Sequence, residues 1–128
     1  MKYLLDTHAL LWITTDDERL SDRVKDIYLN AENVIYFSMA SVWELAIKTS
    51  IGKIKFEKDL DDFIEVHVKG NNISILKIEL PHVLRIADLP FHHRDPFDRL
   101  IIAQAIEDNL SILGSDSIFD RYKVNRIW

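Results

Sequence analysis

Short apolar segments recur along this 128-residue chain and alternate with segments of helical pattern. Five of them, at residues 2–5, 33–38, 73–78, 111–114 and 124–128, have the composition of β-strands. Continuous apolar runs are typical of strands that are buried on both faces, as in a parallel sheet. Strands that alternate with helices form βαβ units. The sequence therefore predicts an α/β fold in which a mostly parallel sheet is covered by helices on both faces.

The segments between these strands predict helices, at residues 7–13, 22–31, 38–52, 58–68, 80–89 and 96–109. A chain of this length is expected to form one domain, residues 1–128, with a core of its own. It contains no cysteine, which excludes disulfide bonds and thiolate metal sites.

The helix from residue 96 is the most apolar and begins with two carboxylates. Pro96 suits the first helical position, so Asp95 is the expected N-cap and Asp98 lies at the third position of the helix. The apolar residues three, four and seven positions after Asp98 share its face. A carboxylate on a core-facing stripe is costly to bury without a partner. The sequence thus poses the question of what neutralises Asp98.

Three further carboxylates follow predicted strands and are expected near Asp98. Asp6 follows the first strand, Glu44 lies early in the helix after the second, and Asp116 follows the strand at residues 111–114. In open α/β sheets the ligand crevice lies beyond the carboxyl ends of the strands. Four carboxylates in one place repel one another unless cations neutralise them. Oxygen ligands without cysteine indicate Mg²⁺ or Mn²⁺.

Each of these carboxylates also has an ordinary structural interpretation. Asp6 could end a strand and cap the following helix, and Asp116 could be a turn residue after Gly114. Asp98 could close a capping arrangement with Asp95. Glu44 has a lysine four residues later, which is an ordinary helical ion pair. However, the helix around Glu44 is apolar on nearly all sides, so an outward face for it is hard to find. The joint placement of the four favours a site.

Five neighbouring residues are candidates for supporting roles. The hydroxyls of Thr7 and Ser115 could hold a carboxylate or a water, or could serve as cap and turn residues. Asp95 is expected to cap its helix, with a site role as the alternative. Arg94 and Arg99 flank the cluster and are candidates for contacting a phosphate backbone, with ion pairs to acidic neighbours as the alternative.

The histidines and large aromatic residues carry no site signal of their own. His8, His92 and His93 show no fixed ligand spacing, so structural or surface roles are expected. Trp43 and Phe97 lie at positions expected to belong to the core.

The net charge of −5 and the pI near 5.5 argue against a sequence-independent nucleic-acid binder, which would usually be basic. The apolar N-terminal run is interrupted by Asp6 and His8, so neither a membrane span nor a signal peptide is expected. The cytoplasm is the expected location.

Four segments in the order and spacing of a known family span almost the whole chain: LLDTHALLW at 4–12, SVWELAIK at 41–48, RDPFDRLIIAQA at 94–105 and SILGSDSIF at 111–119. Together they resemble the PIN-domain nucleases, and more narrowly the VapC-like toxins of type II toxin–antitoxin operons. The four acidic positions of that family fall on Asp6, Glu44, Asp98 and Asp116.

The resemblance implies a three-layer α/β/α sandwich and an endoribonuclease that depends on Mg²⁺ or Mn²⁺. It further implies a homodimer, an RNA substrate such as transfer RNA, and inhibition by a small antitoxin encoded alongside. A cluster of acidic ligands becomes electropositive in effect once metal is bound, which reconciles the acidic charge with an RNA substrate.

Three other interpretations compete with this one. A signalling receiver domain also has a magnesium-binding acidic pocket, but it would need an acidic pair after the first strand and a lysine after the last, and both are absent. A phosphatase with an aspartyl nucleophile would need a second aspartate at position 8, where His8 stands. The third is a PIN-like interaction module that cleaves nothing, which the four intact acidic positions disfavour.

Overall fold

A computed structural model describes residues 1–128 and shows five strands and six helices. The strands are β1 Lys2–Leu5, β2 Val34–Ser38, β3 Ser74–Leu76, β4 Ser111–Leu113 and β5 Arg126–Ile127. The helices are α1 Thr7–Thr14, α2 Asp22–Leu29, α3 Met39–Ser50, α4 Leu60–Phe63, α5 Leu80–Ile86 and α6 Pro96–Asp108. The predicted alternation of strands and helices is confirmed, although several predicted elements were one to three residues too long at an end.

All five strands are parallel, in the order β3-β2-β1-β4-β5. The chain winds outward from β1 to β3 and then returns to the other side of β1, so the order reverses between β1 and β4. Parallel sheets bind ligands beyond the carboxyl ends of the strands at such a reversal. A receiver domain has the order 2-1-3-4-5, so the observed order argues against that interpretation.

Helices cover both faces of the sheet, which confirms the three-layer α/β/α architecture. Alternate residues of β1 enter different cores: Tyr3 and Leu5 pack with α1 to α4, and Leu4 packs with α6. Ile101 and Ile102 of α6 are completely buried, and each such side chain contributes roughly 1.5–3 kcal/mol of hydrophobic free energy. The packing against β1 and β4 fixes α6 in place, and with it the position of the helix N-terminus.

The start of α6 follows the sequence prediction closely. Asp95 is the N-cap, and its Oδ1 accepts hydrogen bonds from the backbone N–H groups of Phe97 and Asp98 at 2.9 and 3.0 Å. Pro96 occupies the first helical position, where its missing N–H leaves no unmet bond. Asp98 therefore lies in the first turn, close to the positive end of the helix dipole.

The predicted helix at 58–68 forms, but it is irregular. After α4 it widens into a π-helical turn at Ile64–Val68 and ends in a 3₁₀ turn at Lys69–Asn71. The two buried side chains of this segment are Phe63 and Val68, five positions apart. A regular α-helix does not place such a pair on one face, whereas a π-helical turn does.

None of the helices combines the length and the apolar character that crossing a bilayer requires.

Candidate active site

A small pocket of about 160 Å³ opens at the carboxyl ends of β1 and β4, at the reversal of strand order. Five acidic residues and one lysine are among the residues that line it: Asp6, His8, Glu44, Lys48, Asp95, Asp98, Asp116 and Phe119. The four carboxylates predicted from the sequence are therefore brought together.

Asp6 is the most deeply placed of these acids. It follows β1, its backbone N–H donates to the carbonyl of Leu113 at 2.9 Å, and its residue is 5% exposed. Burial raises the pKa of the Asp6 carboxyl to about 6, with Glu44 and Asp116 adding charge repulsion and the nearby N–H groups of Thr7 and His8 opposing it. Burial is the largest of these effects, so the pKa of Asp6 rises in spite of the two N–H groups.

Gly114 makes room for Asp6. A Cβ atom at position 114 would lie 3.0 Å from the Cβ of Asp6 and 3.6 Å from its Cγ. This separation is tighter than nearly all real Cβ contacts, so a larger residue would require the Asp6 side chain or its strand to shift by a few tenths of an ångström. The glycine that ends the predicted strand thus has a role in the pocket.

Asp98 faces the pocket from the first turn of α6, with its side chain 22% exposed. Burial raises the pKa of the Asp98 carboxyl to about 7, and the charges of Asp95 and Asp6 add to the increase, while His93 opposes it. The Nε2 atom of His93 lies 3.4 Å from Oδ2 of Asp98. No lysine or arginine forms an ion pair with Asp6 or Asp98.

Glu44 is held at both of its oxygens. The hydroxyl of Thr7 donates to Oε1 at 2.9 Å, and Nζ of Lys48 lies 3.1 Å from Oε2. The lysine four residues later therefore does pair with Glu44, but the pair lies in the pocket and the Glu44 side chain is only 13% exposed. The helical ion pair and a place in the pocket are therefore compatible for Glu44.

Asp116 combines a turn role with a place in the pocket. It precedes the 3₁₀ helix Ser117–Arg121, and its Oδ1 accepts a hydrogen bond from the N–H of Ile118 at 3.0 Å. One carboxylate oxygen thereby fixes the turn, while the residue is exposed at the pocket wall.

The side chains that line the pocket are of the chemical type that binds a hard divalent cation. Five carboxylates face one lysine in the pocket, and oxygen-only sets of this sort are what Mg²⁺ and Mn²⁺ prefer. In this structure no three acidic or histidine side chains surround a common point closely enough to form a closed ion site. The fold therefore assembles the donors at one pocket, and their side chains are engaged with Thr7, Lys48, His93 and the turn at Ile118.

Comparison with known families agrees with this arrangement. The model of the family described as PIN domain matches residues 3–125. The chain belongs to the PIN-domain family. The family resemblance of the four sequence motifs is thereby confirmed, and no curated protein sequence matches the chain significantly.

Solved structures share the fold of this PIN domain at low sequence identity. A chain of VapBC2 from Rickettsia felis, bound to a DNA fragment from its promoter, is 17% identical with a TM-score of 0.75, and the match covers 99% of this chain and 98% of that one. FitAcB from Neisseria gonorrhoeae is 20% identical with a TM-score of 0.71, covering 100% and 97%. VapBC-1 from nontypeable Haemophilus influenzae is 17% identical with a TM-score of 0.72, covering 99% and 97%.

The PIN-domain structure does not support one predicted RNA contact. Arg99 is buried, and its guanidinium donates to the carbonyl of Pro90 at 2.9 Å and to the hydroxyl of Tyr122 at 3.3 Å. Its side chain therefore points into the protein, away from a phosphate backbone. Arg94 is exposed and takes part in none of the ion pairs.

The expected core position of Trp43 is wrong. Its residue is 53% exposed, as α3 turns Ala40, Ser41 and Leu45 toward the interior and leaves Trp43 outside. The indole packs edge-on against Phe97, with ring centroids 5.0 Å apart. Because α3 is apolar nearly all round, its pattern did not reveal which side would be covered.

The two hydroxyl residues predicted near the site differ in the structure. Thr7 does hold a carboxylate, as one of its two interpretations required. Ser115 is exposed, does not line the pocket and makes no side-chain hydrogen bond.

The contact between His93 and Asp98 at the pocket was not predicted from the sequence. His93 contacts Asp98 from a loop, five positions before it in the chain. No ligand spacing or helical periodicity connects the two residues, so the sequence contained no signal for the contact.

Proposed function

We propose that this PIN domain is a metal-dependent endoribonuclease and the VapC-like toxin of a toxin–antitoxin pair. The observation that carries the proposal is the meeting of Asp6, Glu44, Asp98 and Asp116, from four separate segments, in one pocket. Two of these acids have pKa values raised by burial and by their acidic neighbours. A fold that concentrates costly carboxylates at its ligand-binding edge does so for a cation.

In this proposal Asp6, Asp98 and Asp116 hold Mg²⁺ or Mn²⁺, and Glu44 takes part directly or through a water. An ion held there would provide the chemistry that activates a water for in-line attack on an RNA phosphodiester and that stabilises the leaving oxygen. A carboxylate of the cluster accepts the proton that the attacking water loses. Thr7 and Lys48 keep Glu44 turned into the pocket.

The pKa of Asp98, raised to about 7 without metal, does not make Asp98 the proton acceptor, because Asp98 is a proposed metal ligand. A proton acceptor works best when its pKa lies near the working pH. Bound metal lowers the pKa of any carboxylate that ligates it, so a metal-free value sets only the starting point. The carboxylates that remain outside direct ligation are the candidates for the proton acceptor.

The partners are proposed by analogy with the structural neighbours. Chains of VapBC and FitAcB share the fold of this chain. From the family resemblance we extend to it a small antitoxin, a homodimer and a cytoplasmic location. Transfer RNA is among the proposed substrates. The exposed Arg94, which adjoins the cluster in sequence, is the proposed contact with the RNA phosphates.

The test is incubation of the purified chain with total RNA, with Mg²⁺ or Mn²⁺ and, separately, with a chelator. Asp98→Asn keeps the size of the side chain and is expected to abolish cleavage that depends on metal. Asp26→Asn, at an exposed position of α2 far from the pocket, is the matched control and is expected to cleave like the parent. Cleavage that persists in chelator, or an Asp98→Asn variant as active as the parent, would overturn the proposal.

A further inference from the structure

His93 lies between the pocket and the interior, with one ring nitrogen directed to each. Its Nδ1 is 2.7 Å from the hydroxyl of Tyr122, and its Nε2 is 3.4 Å from Oδ2 of Asp98. Nε2 is inaccessible to solvent and has no hydrogen-bond partner of good geometry. Buried polar nitrogens are nearly always satisfied. Asp98 is the polar group that this nitrogen faces.

The groups on either side of His93 favour one position for the proton on its ring. The guanidinium of Arg99 donates to the Tyr122 hydroxyl at 3.3 Å, and a guanidinium can only donate. The hydroxyl oxygen accepts from Arg99, and its own hydrogen can be directed to Nδ1 of His93. The Asp98 carboxylate, which only accepts, favours this arrangement because it leaves the proton of His93 on Nε2. An imidazole that accepts at Nδ1 carries its proton at Nε2. The Nε2–H group then points toward Asp98.

The outer end of this chain of contacts is rigid. Arg99 is 7% exposed and also donates to the carbonyl of Pro90 at 2.9 Å. Tyr122 is 5% exposed and receives the edge of the His92 ring, with centroids 4.9 Å apart. The His93 ring is therefore held from behind by groups that cannot easily move.

We propose that His93 is a positioning residue for Asp98: its Nε2–H holds Oδ2 and leaves the second carboxylate oxygen of Asp98 directed to a divalent cation. Tyr122 and Arg99 act through His93 by fixing its tautomer and its ring orientation. The inference rests on the proposed function, because it takes Asp98 to be a metal ligand. Hydrogen-bond partners of metal ligands typically contribute roughly 10- to 100-fold in metal affinity.

Two substitutions at position 93 separate positioning from simple packing. The amide of glutamine reaches the place of Nε2, so His93→Gln keeps a donor for Asp98. The amide of asparagine reaches only the place of Nδ1, so His93→Asn keeps a partner for Tyr122 and loses the contact with Asp98. His92→Asn is the matched control, because His92 touches the same tyrosine ring and does not contact Asp98.

The experiment is a titration of the intact chain with Mn²⁺ in the absence of RNA, with free Mn²⁺ followed by electron paramagnetic resonance. We expect His93→Asn to weaken binding by roughly 10- to 100-fold, and His93→Gln and His92→Asn to remain within about threefold of the parent. Thermal unfolding of each variant in chelator verifies that it is folded. Equal affinity of His93→Asn and the parent would overturn the inference alone. Failure of the parent itself to bind Mn²⁺ would overturn the proposed function and the inference with it.

A second measurement reads the tautomer directly. Two-bond ¹H–¹⁵N correlation spectra of the metal-free chain should show the Nε2–H form for His93, and Tyr122→Phe should weaken that preference because it removes the donor to Nδ1. A His93 signal of the Nδ1–H form in the parent would contradict the proposed arrangement.

Discussion

Replacement of Asp6 by asparagine is expected to stabilise the metal-free protein at neutral pH, although Asp6 is a proposed metal ligand. The carboxyl is buried beside Glu44 and Asp116, which raises its pKa from 3.8 to about 6. Ionised Asp6 is thus an electrostatic cost of the folded state without metal. Asparagine has nearly the same shape and no charge, so it removes that cost.

The magnitude and the pH range follow from the pKa shift. In the unfolded chain Asp6 ionises near 3.8, and in the folded chain it ionises near 6. The unfolded state therefore loses its proton first, and folding stability falls as the pH rises from about 4 to about 6. Each pKa unit corresponds to about 1.4 kcal/mol, so the full cost is roughly 2 to 3 kcal/mol above that range.

The assay is thermal unfolding followed by circular dichroism, in chelator, at pH 4 and pH 8. Asp6→Asn is expected to unfold on the order of 5–10 °C higher than the parent at pH 8, with only a small difference at pH 4. Asp26→Asn, which is exposed and outside the pocket, should not differ from the parent at either pH.

Saturating Mn²⁺ should reverse the order at pH 8. An ion that binds only the folded state stabilises it in proportion to the logarithm of its concentration over Kd, so the parent gains stability and Asp6→Asn does not. An Asp6→Asn variant that is less stable than the parent at pH 8 in chelator would contradict this prediction, because it would mean that the buried carboxylate is already neutralised by the protein.

Three further substitutions test separate parts of the structure. Gly114→Ala places a Cβ atom 3.0 Å from that of Asp6; it should cost roughly 1–3 kcal/mol of unfolding free energy and weaken Mn²⁺ binding, and unchanged denaturant unfolding would contradict the close approach. Thr7→Val removes the donor to Glu44; it should lower RNA cleavage several-fold while changing stability by only about 1 kcal/mol, and full activity would show that this bond is dispensable. Gln104→Leu removes three internal hydrogen bonds from a completely buried side chain; it should destabilise the fold by about 1–3 kcal/mol without altering Mn²⁺ affinity, and weaker ion binding would contradict a purely structural role.

Much of the fold follows from local patterns in the sequence. The apolar strands and the helices between them predict a parallel sheet, and capping chemistry locates the start of α6 at Asp95 and Pro96. These features depend only on residues that are close together in the chain, so they can be predicted from the sequence alone. The widened turn at Ile64–Val68 does not belong to this class, because the burial of Phe63 and Val68 arises only in the packed chain.

Some residues of the candidate site could likewise be predicted from the sequence, and others could not. Asp6 and Asp116 could be placed because each follows a strand, and the ends of neighbouring parallel strands meet at one edge. Arg99 and His93 could not be placed, because their partner Tyr122 lies more than twenty positions away in the chain. The face of α6 that a loop covers depends on the tertiary fold. Arg99 lies on the covered face, so this candidate RNA contact is instead a buried side chain that supports the interior.

The central claim is that these carboxylates jointly bind a divalent ion. Crystals of the chain soaked in Mn²⁺ test it directly, through anomalous scattering at the manganese edge. The predicted result is a peak at about 2.1 Å from carboxylate oxygens of Asp6, Asp98 and Asp116. A pocket that stays free of anomalous density at saturating Mn²⁺, or a peak at another place on the protein, would show that these carboxylates do not bind the ion jointly.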